Sequence, residues 1–283
     1  MKENVILVGA SGRVGCMVAP AMHVVLQGRA QGDPTDAQHL NWDPLSGARA
    51  LRDWIQRYGS VKTMLVLAGV TPGEGRDLSL NTAIADACLQ AAKEAGIARV
   101  LLASTSAVYG LGDGQPFAET APCNPVNDYG RAKLVMEQAC DAWRSNTLEI
   151  CCLRIGNVAG ADALLLNIAR SQAGAPVTID TFEDARGPLR SYIGPASLAS
   201  VLETLAHHPA ALPPCLNIAA PEAIAMEALA DAAEHPWTPR AGANEAFQKI
   251  LLDCRLLCTL HSFTPSDSRP AVMITQWKST LSK

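Results

Sequence analysis

Short apolar runs recur through the first half of the chain and alternate with longer stretches of mixed polarity. The runs lie at residues 5–8, 23–26, 64–67, 100–103 and 150–153. A run of this length with little polar alternation is typical of a strand that is buried on both faces. Such strands, alternating with helix-length segments, predict a parallel sheet with right-handed crossovers.

Five of the longer stretches are predicted as helices, at about residues 47–57, 80–95, 128–144, 162–172 and 195–207. Gly96 follows the second of them and fits a C-terminal cap. The first connection is unusual, because only the eight residues 16–23 separate Gly15 from Val24. A crossover between parallel strands usually needs about a dozen residues. Either the first helix is short, or the second strand lies elsewhere.

The pattern weakens after about residue 160, where prolines and irregular segments increase. We therefore expect one domain at residues 1–160. Residues 161–283 are expected to form mainly a smaller, mixed region, with some segments returning to the core of the first domain.

The composition fits a compact soluble α/β protein, since 48% of the 283 residues are hydrophobic and 18% are charged. A chain of this length can bury a substantial core. The formal net charge is −4, and Lys and Arg are scattered, which argues against a nucleic-acid surface. No apolar run approaches the roughly 18–20 residues that span a bilayer, so no membrane partner is expected.

The nine cysteines show no paired spacing of the kind that binds metals. Because no signal-peptide pattern is visible, we interpret them as reduced, mostly buried thiols of a cytoplasmic protein. His207 and His208 have no third ligand at a suitable spacing, so no metal site is expected.

A glycine-rich turn follows the first predicted strand, with Gly9, Gly12 and Gly15 directly after residues 5–8. Glycine allows a tight turn and lets a pyrophosphate approach the main chain closely. The start of the following helix offers N–H groups and a partial positive charge to phosphates. This arrangement predicts that the first domain binds a dinucleotide on a Rossmann-type, doubly wound parallel sheet, and that the C-terminal region binds mainly the substrate.

The end of the second strand usually distinguishes the two nicotinamide cofactors. An acidic side chain there would bond the ribose hydroxyls of NAD and repel a 2′-phosphate. The chain has Gln27, Gly28 and Arg29 at that place, and no carboxylate until Asp33. Arg29, together with Arg13, can pair with a 2′-phosphate. We therefore expect NAD or NADP, with NADP preferred.

Tyr129 and Lys133 lie four residues apart in the predicted helix 128–144. That spacing places the phenol and the ammonium group on one helix face. A lysine charge close to a phenol favours the phenolate, so we expect the pKa of Tyr129 to be lowered from its usual value of about 10. Tyr129 is thereby a candidate proton donor or acceptor near neutral pH.

These motifs, together with the hydroxyl-rich run 104–110, resemble those of the short-chain dehydrogenase/reductase superfamily. Within it the chain is most similar to the extended group called the NAD-dependent epimerase/dehydratase family. The resemblance is strong over residues 4–15, 64–110 and 122–160 and looser afterwards. Further matches are Asn81, Glu137, the run 153–158 and the run 190–193. The resemblance implies reversible hydride transfer between a nicotinamide cofactor and a secondary alcohol or carbonyl.

The resemblance also implies roles for four catalytic residues. Tyr129 exchanges a proton with the substrate hydroxyl or carbonyl, and Lys133 holds the nicotinamide ribose. Thr105 takes the third catalytic position and bonds the reacting oxygen, although the serine on either side of it could physically donate the same bond. Asn81 is either structural or part of a proton relay, and the alternative that needs no function is a cap at a helix start.

Fourteen cofactor contacts and five substrate contacts are expected from the resemblance and the motifs. The cofactor residues are Gly9, Ser11, Gly12, Arg13, Val14, Gly15, Arg29, Asp43, Leu67, Ala68, Gly69, Tyr129, Lys133 and Ile155. Asp43 among them can accept a hydrogen bond from the adenine amino group. The substrate residues are Thr105, Ser106, Asn157, Arg190 and Tyr192.

One departure from the family pattern narrows the reaction. Sugar 4,6-dehydratases of the family carry an Asp-Glu pair just after the catalytic Thr, where this chain has Ser106 and Ala107. Neither of these side chains can act as an acid or a base at neutral pH. A 4,6-dehydratase is therefore not expected.

Two enzymatic interpretations and one non-catalytic interpretation stay open. Arg190 and Tyr192 favour an epimerase that acts on a nucleotide sugar, because they match positions that hold the pyrophosphate in sugar-nucleotide epimerases. Against it, the chain is short for that class, and Arg240 and Arg269 have no firm register as a second phosphate ligand. Arg29 and the short C-terminal region favour an NADP(H)-dependent reductase or dehydrogenase of a small carbonyl substrate. A dinucleotide-sensing regulator is less favoured, because the catalytic residues are all present.

Relatives often form dimers through a four-helix bundle, so the resemblance implies a homodimer. The two helices concerned are those predicted at 80–95 and 128–144. Apolar positions on them are Ile84, Leu89, Leu134 and Val135. The same side chains could equally face the protein's own sheet.

Overall fold

The computed structural model describes residues 4–29, 36–172, 174–242 and 247–281. Asp33 lies outside these ranges. The chain forms two compact units. The described residues of the first unit fall within 1–108, 125–154 and 199–216, and those of the second within 109–124, 155–198 and 217–283.

The strands and helices are numbered along the whole chain. The strands are β1 Asn4–Val8, β2 Val25–Gly28, β3 His39–Asn41, β4 Val61–Val66, β5 Arg99–Thr105, β6 Glu149–Ile155, β7 Asn157–Val158, β8 Val177–Thr181, β9 Leu189–Ile193, β10 Cys215–Ile218, β11 Ala223–Ala225, β12 Trp237–Ala241 and β13 Lys249–Ile250. The α-helices are α1 Arg13–Val18, α2 Arg49–Tyr58, α3 Leu80–Ala95, α4 Asp128–Cys140, α5 Ala163–Arg170, α6 Pro195–Ala206, α7 Met226–Ala232, α8 Arg255–Leu260 and α9 Pro270–Leu281.

A sheet that counts seven strands among the described residues forms the centre of the first unit, in the order β10-β6-β5-β4-β1-β2-β3. β1 is parallel to β2 and β4, and the pairs β2-β3 and β4-β5 are parallel as well. The chain thus adds β2 and β3 on one side of β1, and β4, β5 and β6 on the other side. The carboxyl ends of β1 and β4 therefore lie at the switch point where doubly wound sheets bind ligands. The predicted Rossmann-type fold is confirmed.

The apolar runs become strands because both faces of this sheet are covered. Leu7, Leu65 and Leu101 are fully buried. The side chains of α3 complete one of these faces, where Cys88 and Leu89 are also fully buried. Burial of apolar surface on both faces is the main favourable contribution to the stability of such a sheet.

Three local features of the first unit refine the predictions. Of the two alternatives for the first connection, a short first helix is present, because α1 ends at Val18 and a 3₁₀ turn follows at Ala19–Ala21. The predicted second strand at 23–26 was two residues too early, since the chain first completes this turn. The helix predicted at 128–144 ends earlier, at Cys140, where a second 3₁₀ turn begins. Gly96 adopts φ +71° and caps α3, as predicted.

Arg99 and Glu149 form an ion pair at the amino ends of β5 and β6, with Nε and Oε1 3.0 Å apart. Arg99 also donates to the carbonyl oxygen of His208 at 2.7 Å, and Glu149 accepts from the backbone N–H of Leu212 at 2.9 Å. These contacts hold the segment 199–216 against the first unit's own sheet.

The second unit contains a smaller mixed sheet around β9. β9 is antiparallel to β11 and parallel to β7 and β13. A separate parallel ladder joins β8 to β12. The helices α7, α8 and α9 were not predicted, because the prolines and irregular runs in this half obscure their apolar positions. Trp277 of α9 packs where a Cβ on Gly160 would stand.

Two properties concern the described part of the chain as a whole. All nine cysteines lie within it and are free thiols, and five of them are buried. Among the helices described there, none combines the length and the apolar character needed to cross a bilayer.

Candidate active site

The glycine run 9–15 joins β1 to α1 beside the end of β4. Gly9 has φ +88°, in the left-handed region that favours glycine. A Cβ on Gly9 would stand 2.7 Å from the Cα of Ala68, and one on Gly15 would stand 2.9 Å from the carbonyl oxygen of Ala10. Both clashes are with backbone atoms that cannot move aside easily. The turn therefore requires glycine at both positions, and the middle of the run is exposed.

Gln27 stands at the end of β2, where an acidic residue would favour NAD. Its buried side chain accepts a hydrogen bond from the backbone N–H of Gly9 at 2.9 Å and donates one to the carbonyl oxygen of Trp42. Gln27 thereby holds the glycine turn against the chain that follows β3. This role was not predicted, because a single amide on a strand gives no periodic signal.

Arg29 and Asp43 both line a pocket of about 460 Å³ in the first unit. Arg49 and Asp53 line it as well and lie 3.8 Å apart, both well exposed. The Oδ1 of Asp43 accepts a hydrogen bond from the backbone N–H of Leu45 at 3.0 Å. Two of the predicted cofactor residues, Arg29 and Asp43, are thus brought to one pocket that also holds a second arginine.

Lys133 is buried on α4, with 4% of its surface exposed. Its Nζ donates to the carbonyl oxygen of Ala103 in β5 at 2.9 Å and lies 3.7 Å from the Sδ of Met136. Burial lowers the pKa of Lys133 to about 8, while Cys152 and Glu137 act in the opposite direction. Lys133 is therefore protonated at neutral pH but titrates within reach of ordinary conditions.

The loop after β4 lies directly beside Lys133. A Cβ on Gly69 would stand 3.2 Å from the Nζ of Lys133 and 2.8 Å from the Oδ1 of Asn81. Asn81 is buried, accepts from the N–H of Val70 and donates to its carbonyl oxygen, both at 3.0 Å. The N-cap of α3 is Ser79, so the alternative of Asn81 as a helix-start cap is wrong. Asn81 holds the loop after β4 instead, and its place in a proton relay stays a prediction.

Tyr129 is the second residue of α4, and a close backbone approach fixes the start of that helix. The side chain of Asn127 caps it by accepting from the N–H of Gly130 at 2.8 Å. A Cβ on Gly130 would collide with the carbonyl oxygen of Ala107. Glycine at this position therefore brings the first turn of α4 onto the 3₁₀ turn Ser106–Val108, which directly follows β5.

The expectation of a lowered pKa for Tyr129 is wrong in this structure. Burial raises the pKa of Tyr129 above its usual value. The ammonium group of Lys133 is directed at the carbonyl oxygen of Ala103, so burial dominates over its charge. The phenol is protonated at neutral pH and is therefore placed to give a proton rather than to take one.

The three hydroxyls at the end of β5 have different partners. Ser104 is buried and donates to the carboxylate of Glu137. Thr105 is partly exposed, and its Oγ1 accepts from the N–H of Ala107 at 3.2 Å. Ser106 is partly exposed and begins the 3₁₀ turn. The hydroxyl of Ser104 is thus directed into the core, which leaves Thr105 and Ser106 as the candidates.

In the second unit, two predicted substrate residues are neighbours. Asn157 in β7 and Tyr192 in β9 are partners in the ladder. The hydroxyl of Tyr192 is buried, donates to Oδ1 of Asp162 at 3.1 Å and is also bonded by the side chain of Asn157. Burial, together with the charge of Asp162, raises the pKa of Tyr192 well above its usual value. This hydroxyl is therefore a neutral donor.

Arg190 uses its guanidinium group on the protein's own backbone. It donates to the carbonyl oxygens of Gln248 at 2.8 Å and Phe247 at 2.5 Å. Arg240, which was considered as a second phosphate ligand, pairs with Asp180 at 2.6 Å. The phosphate-binding roles of both arginines stay predictions.

The remaining predicted residues can now be placed. The N–H groups of Leu67 and Ala68 donate to the carbonyl oxygen of Val8 at 2.8 and 3.0 Å, which ties the loop after β4 to β1. Arg13 and Val14 begin α1. Ile155 ends β6 and belongs to the second unit.

Two contacts were not predicted, although the residues that make them lie in segments noted in the sequence. Arg154 and Glu137 form a buried ion pair with a shortest distance of 2.8 Å, and neither charge leaves a periodic signal in the sequence. Asp162 caps α5 by accepting from the backbone N–H groups of Leu164 and Leu165. An Asp directly before an apolar run is a recognised helix-start signal and could have identified this cap.

The residues of the first unit fit a nicotinamide dinucleotide. The glycine turn leaves no room for side chains at Gly9 and Gly15, so that backbone N–H groups can approach a pyrophosphate. The pocket beside Arg29 offers cations to the adenosine end. A buried ammonium group stands next to Gly69, which has no side chain to cover it. These are the groups that such a cofactor needs at its phosphates, its adenosine and its second ribose.

Comparison with known proteins agrees with this geometry. The model of the NAD dependent epimerase/dehydratase family matches residues 5–178. The UDP-glucose 4-epimerase of Azospirillum brasilense is 33% identical over 176 residues, which are 56% of this chain and 50% of that protein. The 2′-dehydrokanamycin reductase of Streptomyces kanamyceticus is 28% identical over 190 residues, which are 62% of this chain and 51% of that protein. The chain thus matches about half the length of these relatives.

Solved structures are similar over almost the whole chain. The UDP-glucuronic acid 4-epimerase of Bacillus cereus, solved with UDP-glucuronic acid and NAD, superposes with a TM-score of 0.77 at 17% identity and 99% coverage of both chains. The NAD-dependent NDP-hexosamine 5,6-dehydratase TunA superposes with a TM-score of 0.73 at 18% identity and 98% coverage of both chains. At these identities the likeness shows the fold alone.

The fold defines a Rossmann-type α/β protein with a doubly wound, largely parallel sheet. More particularly, the chain belongs to the NAD-dependent epimerase/dehydratase family.

Proposed function

We propose that the protein is an NAD(P)-dependent oxidoreductase that acts on a secondary alcohol or carbonyl of a sugar substrate. One observation carries the proposal: the buried ammonium group of Lys133 lies one helical turn from Tyr129 and beside the glycine-lined loop after β4. Burying a protonated lysine in a protein core costs free energy, and such buried charges are typical of functional sites.

The chain's own residues supply acid–base catalysis. Tyr129, with its raised pKa, holds a proton at neutral pH and donates it to the carbonyl oxygen of a substrate that is being reduced. In an epimerase cycle, Tyr129 would first release this proton to solvent, take the hydroxyl proton of the substrate in the oxidation half, and return it in the reduction half. Thr105 donates a hydrogen bond to the same oxygen as charge develops there. Lys133 would bind the hydroxyls of the nicotinamide ribose. When bound, the cofactor supplies or accepts the hydride.

We propose NADP as the preferred cofactor, although NAD is the cofactor in the neighbouring structures. Arg29 and Arg49 line the same pocket, and a 2′-phosphate there would gain charge-assisted hydrogen bonds from both. The residue that would normally select NAD, at the end of β2, is Gln27. Its buried amide carries no charge to repel a phosphate and is occupied by Gly9 and Trp42.

For the substrate, we propose a nucleotide sugar and an epimerase reaction. This choice rests on the curated relatives, of which most are UDP-glucose 4-epimerases, and on the match of Arg190 and Tyr192 to substrate positions of the family. A 4,6-dehydratase is disfavoured, because Ser106 and Ala107 cannot supply the acid and base that elimination requires.

A reductase of a small carbonyl compound is the second candidate, and one observation favours it. Arg190 donates to backbone carbonyl oxygens and Arg240 pairs with Asp180, so binding a diphosphate would require both to exchange partners. A neutral substrate makes no such demand. The 2′-dehydrokanamycin reductase among the relatives supports the same reaction class.

We also propose a homodimer. Val135 on α4 and Leu80 at the start of α3 are large apolar side chains with 55% and 39% exposure. Leu89 is fully buried in the protein's own core and is therefore unavailable to a partner. Covering the exposed pair would remove apolar surface from water.

The decisive experiment is to denature the purified protein and identify the released nucleotide by mass spectrometry. A near-stoichiometric amount of oxidised cofactor indicates retention through a closed cycle and supports the epimerase. If that cofactor is NADP⁺ the NADP assignment is supported, and if it is NAD⁺ that assignment is refuted. Little nucleotide, or only partial NADP(H), indicates exchange in each turnover and supports the reductase. If the purified protein binds neither NAD(H) nor NADP(H) when they are added to it, the proposed function is refuted.

A further inference from the structure

Glu137 is a buried carboxylate at the point where β5, α4 and β6 of the first unit meet. Its surface is 8% exposed. Ser104 donates its hydroxyl hydrogen to Oε1 of Glu137. Arg154 donates to Oε2 from Nε at 3.1 Å and from Nη2 at 2.8 Å. One carboxylate thereby joins three elements, with every contact made inside the core.

Ser104, the hydroxyl partner of this carboxylate, lies between two residues of the proposed site. Ser104 directly precedes Thr105, so fixing its side chain fixes where the hydroxyl of Thr105 leaves the strand. Ala103, on the other side of Ser104, provides the carbonyl oxygen that accepts from Lys133. Glu137 itself follows Lys133 by one turn of α4. A shift of Glu137 would therefore move the strand end and the lysine environment together.

Glu137 provides a negative charge among the titratable groups close to Lys133. Tyr129 and Cys140 lie on the same helix as Lys133, and Cys152 faces it from β6. A hydrogen bond with Cys140 and burial hold the pKa of Cys152 well above its usual value, so that thiol is neutral. The tyrosine is protonated as well. Among these neighbours of Lys133, the negative charge is therefore that of Glu137.

We propose that Glu137 is a positioning residue for Thr105 and Lys133: Arg154 holds its carboxylate, which fixes the end of β5 through Ser104 and keeps a negative charge beside the lysine ammonium group. The inference rests on the proposed function only for the tasks of Thr105 and Lys133.

The consequence of removing the negative charge follows from electrostatics. Lys133 and Arg154 would be left as two cations in a region of low dielectric, which disfavours the protonated lysine. Lys133 would then lose its proton at a lower pH than in the wild type. A role of Glu137 in packing alone predicts no such change, because Gln has nearly the same size and shape.

The test is a direct titration of Lys133 by NMR, with ¹³C at the lysine Cε and the resonance assigned through Lys133→Met. The variant is Glu137→Gln. The matched control is Glu149→Gln, because Glu149 forms the equivalent pair with Arg99 at the amino ends of the same two strands. We expect the midpoint of Lys133 to fall by about one pH unit in Glu137→Gln and to stay unchanged in Glu149→Gln. An unchanged midpoint in folded Glu137→Gln would overturn the proposal.

Glu137→Gln leaves the buried charge of Arg154 without the carboxylate that balances it, so a second variant guards against unfolding. The double variant Glu137→Gln with Arg154→Met removes both charges, so its Lys133 midpoint should lie above that of Glu137→Gln and no higher than that of the wild type. A midpoint in the double variant above that of the wild type would overturn the proposal. The conservative variant Glu137→Asp should restore most of the wild-type midpoint, and failure to do so contradicts the requirement for a negative charge.

A parallel measurement separates this inference from the proposed function. The Kd for NADH and NADPH, measured at pH 8.5, where a midpoint lower by about one pH unit most reduces the protonated fraction of Lys133, should rise severalfold in Glu137→Gln and not in Glu149→Gln. If the midpoint of Lys133 moves while the wild type binds neither cofactor, the proposed function fails and the electrostatic role of Glu137 stands. If both cofactors bind the wild type and the midpoint of Lys133 does not move, the proposed function stands and the electrostatic role of Glu137 fails.

Discussion

The Nζ of Lys133 lies 2.9 Å from the carbonyl oxygen of Ala103, two residues before Thr105 in β5. This bond directs a buried ammonium group towards the carboxyl ends of the strands. Burial lowers the pKa of Lys133 to about 8. The charge on Lys133 is therefore present at neutral pH and is lost under mildly alkaline conditions, which makes the site sensitive to pH.

Cofactor binding should weaken as the pH rises through about 8. The protonated form of Lys133 is the one that can donate to ribose hydroxyls, so the Kd for the preferred nicotinamide cofactor should increase by up to tenfold per pH unit above that value. Isothermal titration calorimetry between pH 6.5 and 9.5 measures this. In Lys133→Met the dependence should disappear, with weaker binding throughout. A wild-type Kd that stays flat across this range would contradict the role of Lys133.

The same burial should cost stability at neutral pH. The pKa of Lys133 is about 8 in the folded state and 10.5 in the unfolded state, so between these values the unfolded state binds more protons and stability rises with pH. Lys133→Met removes the buried charge. It should increase the free energy of unfolding at pH 7 by up to about 3 kcal/mol, less the lost bond to Ala103. Urea unfolding at pH 7 and 10.5 should show a gain that shrinks at the higher pH; a gain equal at both would argue against charge burial as its cause.

The glycine turn should tolerate no side chain at its two ends. Gly9→Ala places a Cβ 2.7 Å from the Cα of Ala68 at φ +88°, and Gly15→Ala places one 2.9 Å from the carbonyl oxygen of Ala10. Each should destabilise the protein by about 2–4 kcal/mol, measured as a lower Tm, and should weaken cofactor binding. Gly28→Ala is the matched control, because a Cβ there meets nothing within 4 Å. A Tm for Gly9→Ala that equals that of the control would contradict the described turn.

The elements that the sequence predicts well are those whose cause is local. The apolar runs gave the central strands because each is buried on both faces, and the Tyr129–Lys133 spacing placed both residues on α4. The pKa of Tyr129 could not be predicted, because it depends on burial and on where the ammonium group of Lys133 points. The ion pair of Glu137 with Arg154 could not be predicted for a similar reason, since the two residues are 17 positions apart in the chain and lie on different elements. Such relationships exist only after packing.

Tyr129→Phe should abolish turnover while leaving the cofactor site intact. Phenylalanine keeps the ring but has no proton to donate, so kcat should fall by about 10²–10⁴. The Kd for the cofactor should change little, because the contacts of Lys133 and of the glycine turn stay in place. The control is Tyr58→Phe, at the end of α2, which should leave kcat unchanged. Turnover that survives in Tyr129→Phe would remove Tyr129 from the mechanism, and lost cofactor binding would point to a structural role.

Arg29→Ala should separate the two cofactors. A 2′-phosphate in the pocket beside Arg29 would lose a charge-assisted hydrogen bond of about 1.5–3 kcal/mol, so the Kd for NADPH should rise roughly 10–100-fold. NADH has no phosphate at that position, and its Kd should not change. Arg49→Ala should act in the same direction but less strongly, because Arg49 is highly exposed and lies 3.8 Å from Asp53. Arg52→Ala, on the same helix but outside the pocket lining, is the control and should affect neither cofactor. The proposal is contradicted if the wild type binds NADH more tightly than NADPH and Arg29→Ala weakens the binding of neither cofactor. Arg29 would then be a solvated side chain, and Gln27 at the end of β2 would not indicate a preference for NADP.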